Sequence, residues 1–238
     1  MTVATNNKQI EAEATGLGIT RLCHFTPSRN LLQIAAGRLG VLATAQLEDD
    51  ERAVFNPTDL SRLDGHKTHV SCSIEYPNGW YFERKRLQEK RYLDWVVLLI
   101  DPRYIWAQRT LFCPRNAAAG YGREIVSGYE GFLSLYKDGV RGAYDVVRSR
   151  AESHLRACPT DDQAEVLVRD QIALGDVIAI AVKDTAQAKR QRAKLRLAGL
   201  DPDLFCYVVA PVMFSKRSLS TAIRLGERPA ETPFEVTA

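Results

Sequence analysis

The sequence predicts an α+β fold on a mixed, split or curved β-sheet, and three observations carry this. Stretches that read as strands outnumber those that read as helices, the two kinds do not alternate regularly, and no linker, repeat or low-complexity segment divides the chain. The 238 residues, 45% hydrophobic and 26% charged, suffice for a full core. The expected organisation is a flexible lead-in over residues 1–18, a single domain over 19–224, and a loose tail over 225–238, which carries two prolines.

The elements follow in order. RLCHF (21–25) is a short strand, with His24 near its end. TPSRNLLQIAAG (26–37) follows as a helix with a Thr or Ser cap, Leu31, Leu32 and Ile34 on its apolar face, and Gly37 as its stop. HVSCSI (69–74) alternates as a strand does. WVVLLID (95–101), ended by Pro102, is apolar throughout and therefore a central strand covered on both faces. TLFC (110–113) is another short strand and GYEGFLSLY (128–136) a short helix. In TDDQAEVLVRD (160–170), strand alternation sends Ala164, Val166 and Val168 to one face and Gln163, Glu165 and Leu167 to the other. DVIAIAVKD (176–184) is a second buried strand, TAQAKRQRAKLRLAGL (185–200) a helix, and FCYVVAPVMF (205–214) closes the sheet.

The bulk chemistry excludes more than it selects. A net charge of +3, from 32 Lys+Arg against 29 Asp+Glu, is too mild to argue for nucleic-acid binding unless the basic residues cluster. The five cysteines are scattered and form no CxxC pair, which argues against a zinc site or a disulfide framework and fits a reducing compartment. The longest apolar run is far too short to span a bilayer, and the polar N-terminus has no signal-peptide core, so a cytoplasmic location is expected.

Three stretches could carry chemistry. Gln163 and Glu165, two apart on a strand, emerge on one face roughly 7 Å apart. A carboxylate set against a ribose suits glycosidic cleavage, where positive charge builds on the sugar. On spacing alone, a solvated edge strand is the simpler reading. In CHFTPSRN, His24, Thr26 and Asn30 surround a strand-to-helix junction whose backbone N–H groups suit an amide or ribose ligand. A helix cap and a satisfied core histidine account for the same residues more simply. The third stretch runs from Arg62 through His66 and His69 to a Pro77-Asn78-Gly79 turn, then Trp80, Tyr81 and Phe82, then Arg84-Lys85-Arg86 and Lys90-Arg91-Tyr92. Aromatic faces beside clustered cations are what an unpaired nucleic-acid strand needs. Equally, strand alternation would bury Trp80 and Phe82 together. The basic run Lys189 to Leu200 reads as a wet helix face.

Taken together, these pieces resemble the DarT family, toxins of toxin–antitoxin pairs that transfer ADP-ribose from NAD to bases in single-stranded DNA. The resemblance covers roughly residues 20–212. It rests on HFTPSRNLLQIAAGRLG as a His-x-Thr entry strand and helix, on FNPTDLSR leading to an arginine, and on DQAEVLV as a glutamate strand, with Arg62 thirty-eight residues after His24. Cys23 stands where the family usually shows an aromatic. The fold implied is the ADP-ribosyltransferase-like split mixed β-sheet core with surrounding helices, with NAD as co-substrate in its cleft and no metal.

Carried over residue by residue, Glu165 is implied as the catalytic glutamate and Arg62 as the catalytic arginine. A guanidinium is always protonated, so Arg62 is expected as an anchor for pyrophosphate or a polariser of the base, not a proton acceptor. His24, Thr26 and Asn30 are implied at the nicotinamide-ribose end of NAD. Gln163, His69, Trp80, Tyr81 and Arg84 are the expected substrate contacts. The acceptor is an unpaired base, thymine first and guanine second, and a macrodomain antitoxin is implied as partner by the family alone. The alternatives are a transferase acting on RNA or protein, a non-catalytic nucleic-acid-binding module, and a scaffold whose QxE is accidental.

Overall fold

The computed structural model describes residues 3–47, 62–142 and 146–235. Its strands in chain order are β1 (Leu22–Pro27), β2 (Val41–Leu42), β3 (His69–Ile74), β4 (Trp95–Ile100), β5 (Leu111–Cys113), β6 (Val126–Ser127), β7 (Val140–Arg141), β8 (Val147–Arg148), β9 (Glu165–Arg169), β10 (Gln171–Ile172), β11 (Val177–Val182), β12 (Tyr207–Val209) and β13 (Thr232–Pro233). The helices are α1 (Val3–Leu17), α2 (Asn30–Gly37), α3 (Gly79–Gln88), α4 (Gly128–Ser134), α5 (Thr185–Leu197) and α6 (Lys216–Leu225). Nine strands form one sheet in the order β13-β12-β11-β4-β1-β3-β9-β5-β6. Only β11 and β12 pair in parallel; the other neighbours are antiparallel, so the sheet is mixed as expected.

β4 is buried along its whole length because both of its faces are covered. Val96, Leu98 and Ile100 pack in a core with Ile10 and Ala14 of α1, Leu31 and Ile34 of α2, Phe132 of α4 and Leu195 of α5. Trp95, Val97 and Leu99 face the opposite core, with Phe82 of α3, Met213, and Leu219 and Ile223 of α6.

Several elements depart from the sequence reading. In place of a frayed lead-in, residues 3–17 form α1, anchored by buried Ile10 and Ala14. In place of a loose tail, β13 pairs with β12, Glu231 bonds Arg21, and Arg228 reaches Glu75 at 3.2 Å. α2 begins later than expected and has no side-chain cap: its N-cap is Arg29, and Arg38 rather than Gly37 takes the left-handed conformation at its end. The stretch after Asn78 is a helix, not a strand. The Asn78 side chain caps it by accepting from the Tyr81 N–H at 3.0 Å. Helical periodicity separates Trp80 from Phe82, so Phe82 is buried while Trp80 is 36% exposed. Gln163 precedes β9 in a turn, so it does not share a strand face with Glu165.

Candidate active site

The site begins where the sheet splits. β1 pairs with β4 along all six residues, but with β3 only at Leu22–Ile74 and Cys23–Ser73. Beyond those two pairs the strands part, and the His24 imidazole bridges the gap, its Nδ1 lying 2.8 Å from the Ser71 carbonyl. A carbonyl only accepts, so Nδ1 carries the proton, which leaves Nε2 as an acceptor in the neutral ring. Burial lowers the His24 pKa; the Ser71 bond opposes this and the Arg62 charge adds to it. The opening is a cleft of about 160 Å³ whose walls include His24, Thr26, Asn30, Arg62, His69, Tyr81 and Glu165.

Glu165 opens β9 and is only 9% exposed. Its Oε2 accepts from Ser71 Oγ at 2.6 Å and its Oε1 from the Ala117 N–H at 3.1 Å. Burial pushes its pKa up to about 7, against those two bonds; Asp64 raises it further and Arg62 pulls it back. Among the described residues no ion pair forms on Glu165. Its ionised form is therefore desolvated with no ion-pair partner, and a positive charge arriving beside it favours that form.

Arg62 is close by and already engaged. Its Nε and one terminal nitrogen donate to the two Asp64 oxygens at 3.0 and 2.7 Å, and its other terminal nitrogen donates to the His69 carbonyl at 2.6 Å. Arg62 sits at φ 34 in a tight turn closed by Gly65 N to Arg62 O, and Asp64 also accepts from the His66 N–H. Burial raises the Asp64 pKa, but the guanidinium more than offsets that and holds it low. A bidentate partner fixes the orientation of Arg62, which fits an anchor. Residues 55–61, which lead into Arg62 in sequence, lie outside the described residues.

Asn30 and Thr26 form a polar corner. Asn30 Nδ2 donates to Thr26 Oγ1 at 2.8 Å, and Asn30 Oδ1 is buried with no hydrogen-bond partner. A buried amide oxygen without a donor is unfavourable unless a ligand supplies one. The free N–H groups expected at this junction are in part already used, since Ser28 N donates to Asp94 O. Thr26 lies within β1 and caps nothing.

The remaining expected residues divide. His69 lines the cleft with both ring nitrogens engaged, by Thr68 Oγ1 and the Arg109 carbonyl. Tyr81 also lines it, with Lys85 over its ring. Gln163, Trp80 and Arg84 are not among the cleft-lining residues. Gln163 sits in the turn before β9, its N–H on Asp161. Trp80 is pinned by its indole N–H to Asp162 at 3.3 Å and covered by Lys216, and Arg84 is exposed on α3. Among the described residues, no three His, Cys, Asp or Glu side chains converge as a metal site, and no helix is long and apolar enough to cross a membrane.

Three participants were missed from sequence. Asp64 had a signal, an acidic residue two after Arg62 and followed by Gly in a turn-forming pair. Ser71 had one as well, a hydroxyl on the same strand face as His69 and Ser73. The Ala117 N–H had none, because a loop amide leaves no mark on side-chain pattern.

Residues 23–214 match the family described as ssDNA thymidine ADP-ribosyltransferase, DarT. Among solved structures, the chain is similar to Thermus sp. 2.9 DarT in complex with NAD+, at a TM-score of 0.50 and 16% identity, over 78% of this chain and 97% of that one. It is similar also to Thermosipho africanus DarTG in complex with ADP-ribose, at a TM-score of 0.50 and 15% identity, over 82% of this chain. It spans about half of that chain, 51%. At these identities the likeness carries the fold, and the split mixed sheet is the one expected. No curated protein matches the chain.

Proposed function

The chain belongs to the DarT family of ssDNA thymidine ADP-ribosyltransferases, and from that membership we propose that it transfers ADP-ribose from NAD to thymine in single-stranded DNA and releases nicotinamide. One observation supports this reading most: a buried carboxylate, Glu165, with no ion-pair partner among the described residues, in a cleft whose arginine, Arg62, is already committed to Asp64.

The residues of the cleft fit NAD as the second substrate. The partnerless Asn30 oxygen calls for a donor such as a carboxamide N–H or a ribose hydroxyl, and Thr26 and His24 Nε2 stand beside it as further polar contacts. NAD brings a sugar already activated by a positively charged leaving group. Glu165 bonds the ribose and meets the positive charge that grows on it, an interaction stronger in the transition state than in the ground state. Arg62, locked by Asp64, anchors pyrophosphate or polarises the base. Tyr81 and His69 contact the substrate from the cleft wall; Gln163, Trp80 and Arg84 contact the strand from outside it. The acceptor is unpaired because the atoms used in pairing cannot be reached inside a duplex. We further propose that the chain acts as a single catalytic domain that includes α1 and β13 beyond the 19–224 expected, and that the enzyme is the toxin of a pair whose partner is a macrodomain that removes the modification.

Labelled NAD is to be incubated with separate pools of single-stranded DNA, duplex DNA, RNA and protein, followed by mass spectrometry of the released nucleosides. The expected result is an ADP-ribosylated thymidine from single-stranded DNA alone, absent with Glu165→Ala, and growth arrest on expression that the same substitution relieves. Label on protein or RNA alone overturns the DNA acceptor.

A further inference from the structure

We propose that Tyr121 is a stacking platform for a nucleobase of the acceptor strand at the rim of the cleft. The inference rests on the nucleic-acid transferase reading and adds to it a residue outside the cleft-lining set.

Tyr121 is 71% exposed, against 36% for Trp80, the other exposed aromatic side chain among the described residues. Its backbone is left-handed at φ 54, unfavourable for any residue with a Cβ, and it sits between Gly120 and Gly122, also at positive φ. The turn that imposes this conformation is well tied. Gly122 N donates to Ala117 O at 3.0 Å, Tyr121 N to Ala118 O at 3.3 Å, and Ile125 N to Gly122 O at 3.1 Å. A Cβ on Gly122 would lie 2.4 Å from the Asp64 carbonyl, so the turn packs directly on the one that carries Arg62. Strain kept up by so many contacts displays the ring rather than letting it fold down.

The same turn touches the chemistry. The Ala117 N–H holds Glu165 Oε1, and Asn116 and Ala118 line the cleft. The bond from Tyr121 N to Ala118 O keeps their Cα atoms within about 7 Å, so Tyr121 sits one turn from the cleft wall. Arg123 donates through Nε to Gly120 O at 3.2 Å, which sets a cation against this loop, suited to a phosphate beside a stacked base. Trp80 has less face to offer, being covered by Lys216 and tethered to Asp162.

The test measures binding of a fluorescent, thymidine-containing single strand of about ten nucleotides by anisotropy, with the full chain and NAD, for wild type, Tyr121→Ala and Tyr121→Phe. Tyr121→Ala is expected to weaken the Kd about tenfold and Tyr121→Phe less than about twofold, while the KM for NAD moves less than about twofold in both. A 2-aminopurine next to the acceptor is expected to lose its quenching in Tyr121→Ala only. An unchanged Kd in Tyr121→Ala, or a KM for NAD that rises in step with the Kd, overturns the inference. If the wild type binds the strand yet transfers nothing, the transferase reading fails while the Kd comparison still decides on Tyr121.

Discussion

Glu165 is a carboxylate kept where its charge is costly. In the folded protein its pKa is about 7, above the ordinary 4.5, so the fold holds its proton more tightly than the unfolded chain does. This favours folding below the unfolded value and is lost as pH rises through about 7. Two outcomes follow for Glu165→Gln. Transfer falls by about 10³-fold or more, because an amide cannot answer the charge on the sugar. Stability at pH 8, measured by denaturant melts, rises by about 3 kcal/mol, and the gain shrinks as pH falls through about 7 and vanishes below about 4. In the wild type, transfer increases with pH through the range where Glu165 ionises. Asp64 makes the converse case. Its two oxygens neutralise Arg62, and both side chains are nearly buried. Asp64→Asn is expected to destabilise by about 3–5 kcal/mol by leaving a buried guanidinium uncompensated, and to lower transfer with it.

Two strands that build the cleft were legible, one from its alternation and one from its apolar run: HVSCSI is β3 residue for residue, and WVVLLID is β4 but for its last residue, Asp101. Glu165 was singled out by the family resemblance, because its spacing alone favoured a solvated edge strand. What was not legible was the conformation of short segments whose neighbours decide it. Gly79–Gln88 carries aromatics in a row, and only the Asn78 cap and the pocket around Phe82 choose helix over strand. Gln163 was read onto the strand because alternation gives no sign of where a turn ends. That turn is fastened from outside: Asp162 accepts from Ser220 Oγ at 2.6 Å and from Trp80, and pairs with Arg224 at 3.3 Å. Asp162→Ala, by freeing the turn from α3 and α6, is expected to cost about 1–3 kcal/mol in stability. Transfer to DNA is expected to fall further than stability does, measured at a temperature where the variant stays folded.

For the whole molecule, the two ends of the described chain matter more than their composition suggests. Glu75, fully buried just past β3, accepts from the Thr20 N–H and hydroxyl and pairs with Arg228, while Arg21 bonds both the Glu75 carbonyl and Glu231. The segment after α1 and the segment after α6 are thus clamped on the far side of β1 and β3. Arg21→Ala removes its bonds to the Glu75 carbonyl and to Glu231, leaving the Thr20 and Arg228 contacts to Glu75, and is expected to lower the Tm by about 2–4 °C for each kcal/mol lost, leaving the KM for NAD unchanged.

The parting of β1 from β3 also leaves the sheet with two interior margins, each a row of backbone groups of the kind that recruits stray strands and seeds aggregates. Here the imidazole of His24 plugs that row at Ser71, and the serine hydroxyl is turned toward Glu165. A polypeptide strand finds the seam closed. A flat heterocycle on a sugar finds a slot with acceptors on its walls, so under the proposed function the defect that would endanger an ordinary sheet is the one that admits the nicotinamide end of NAD.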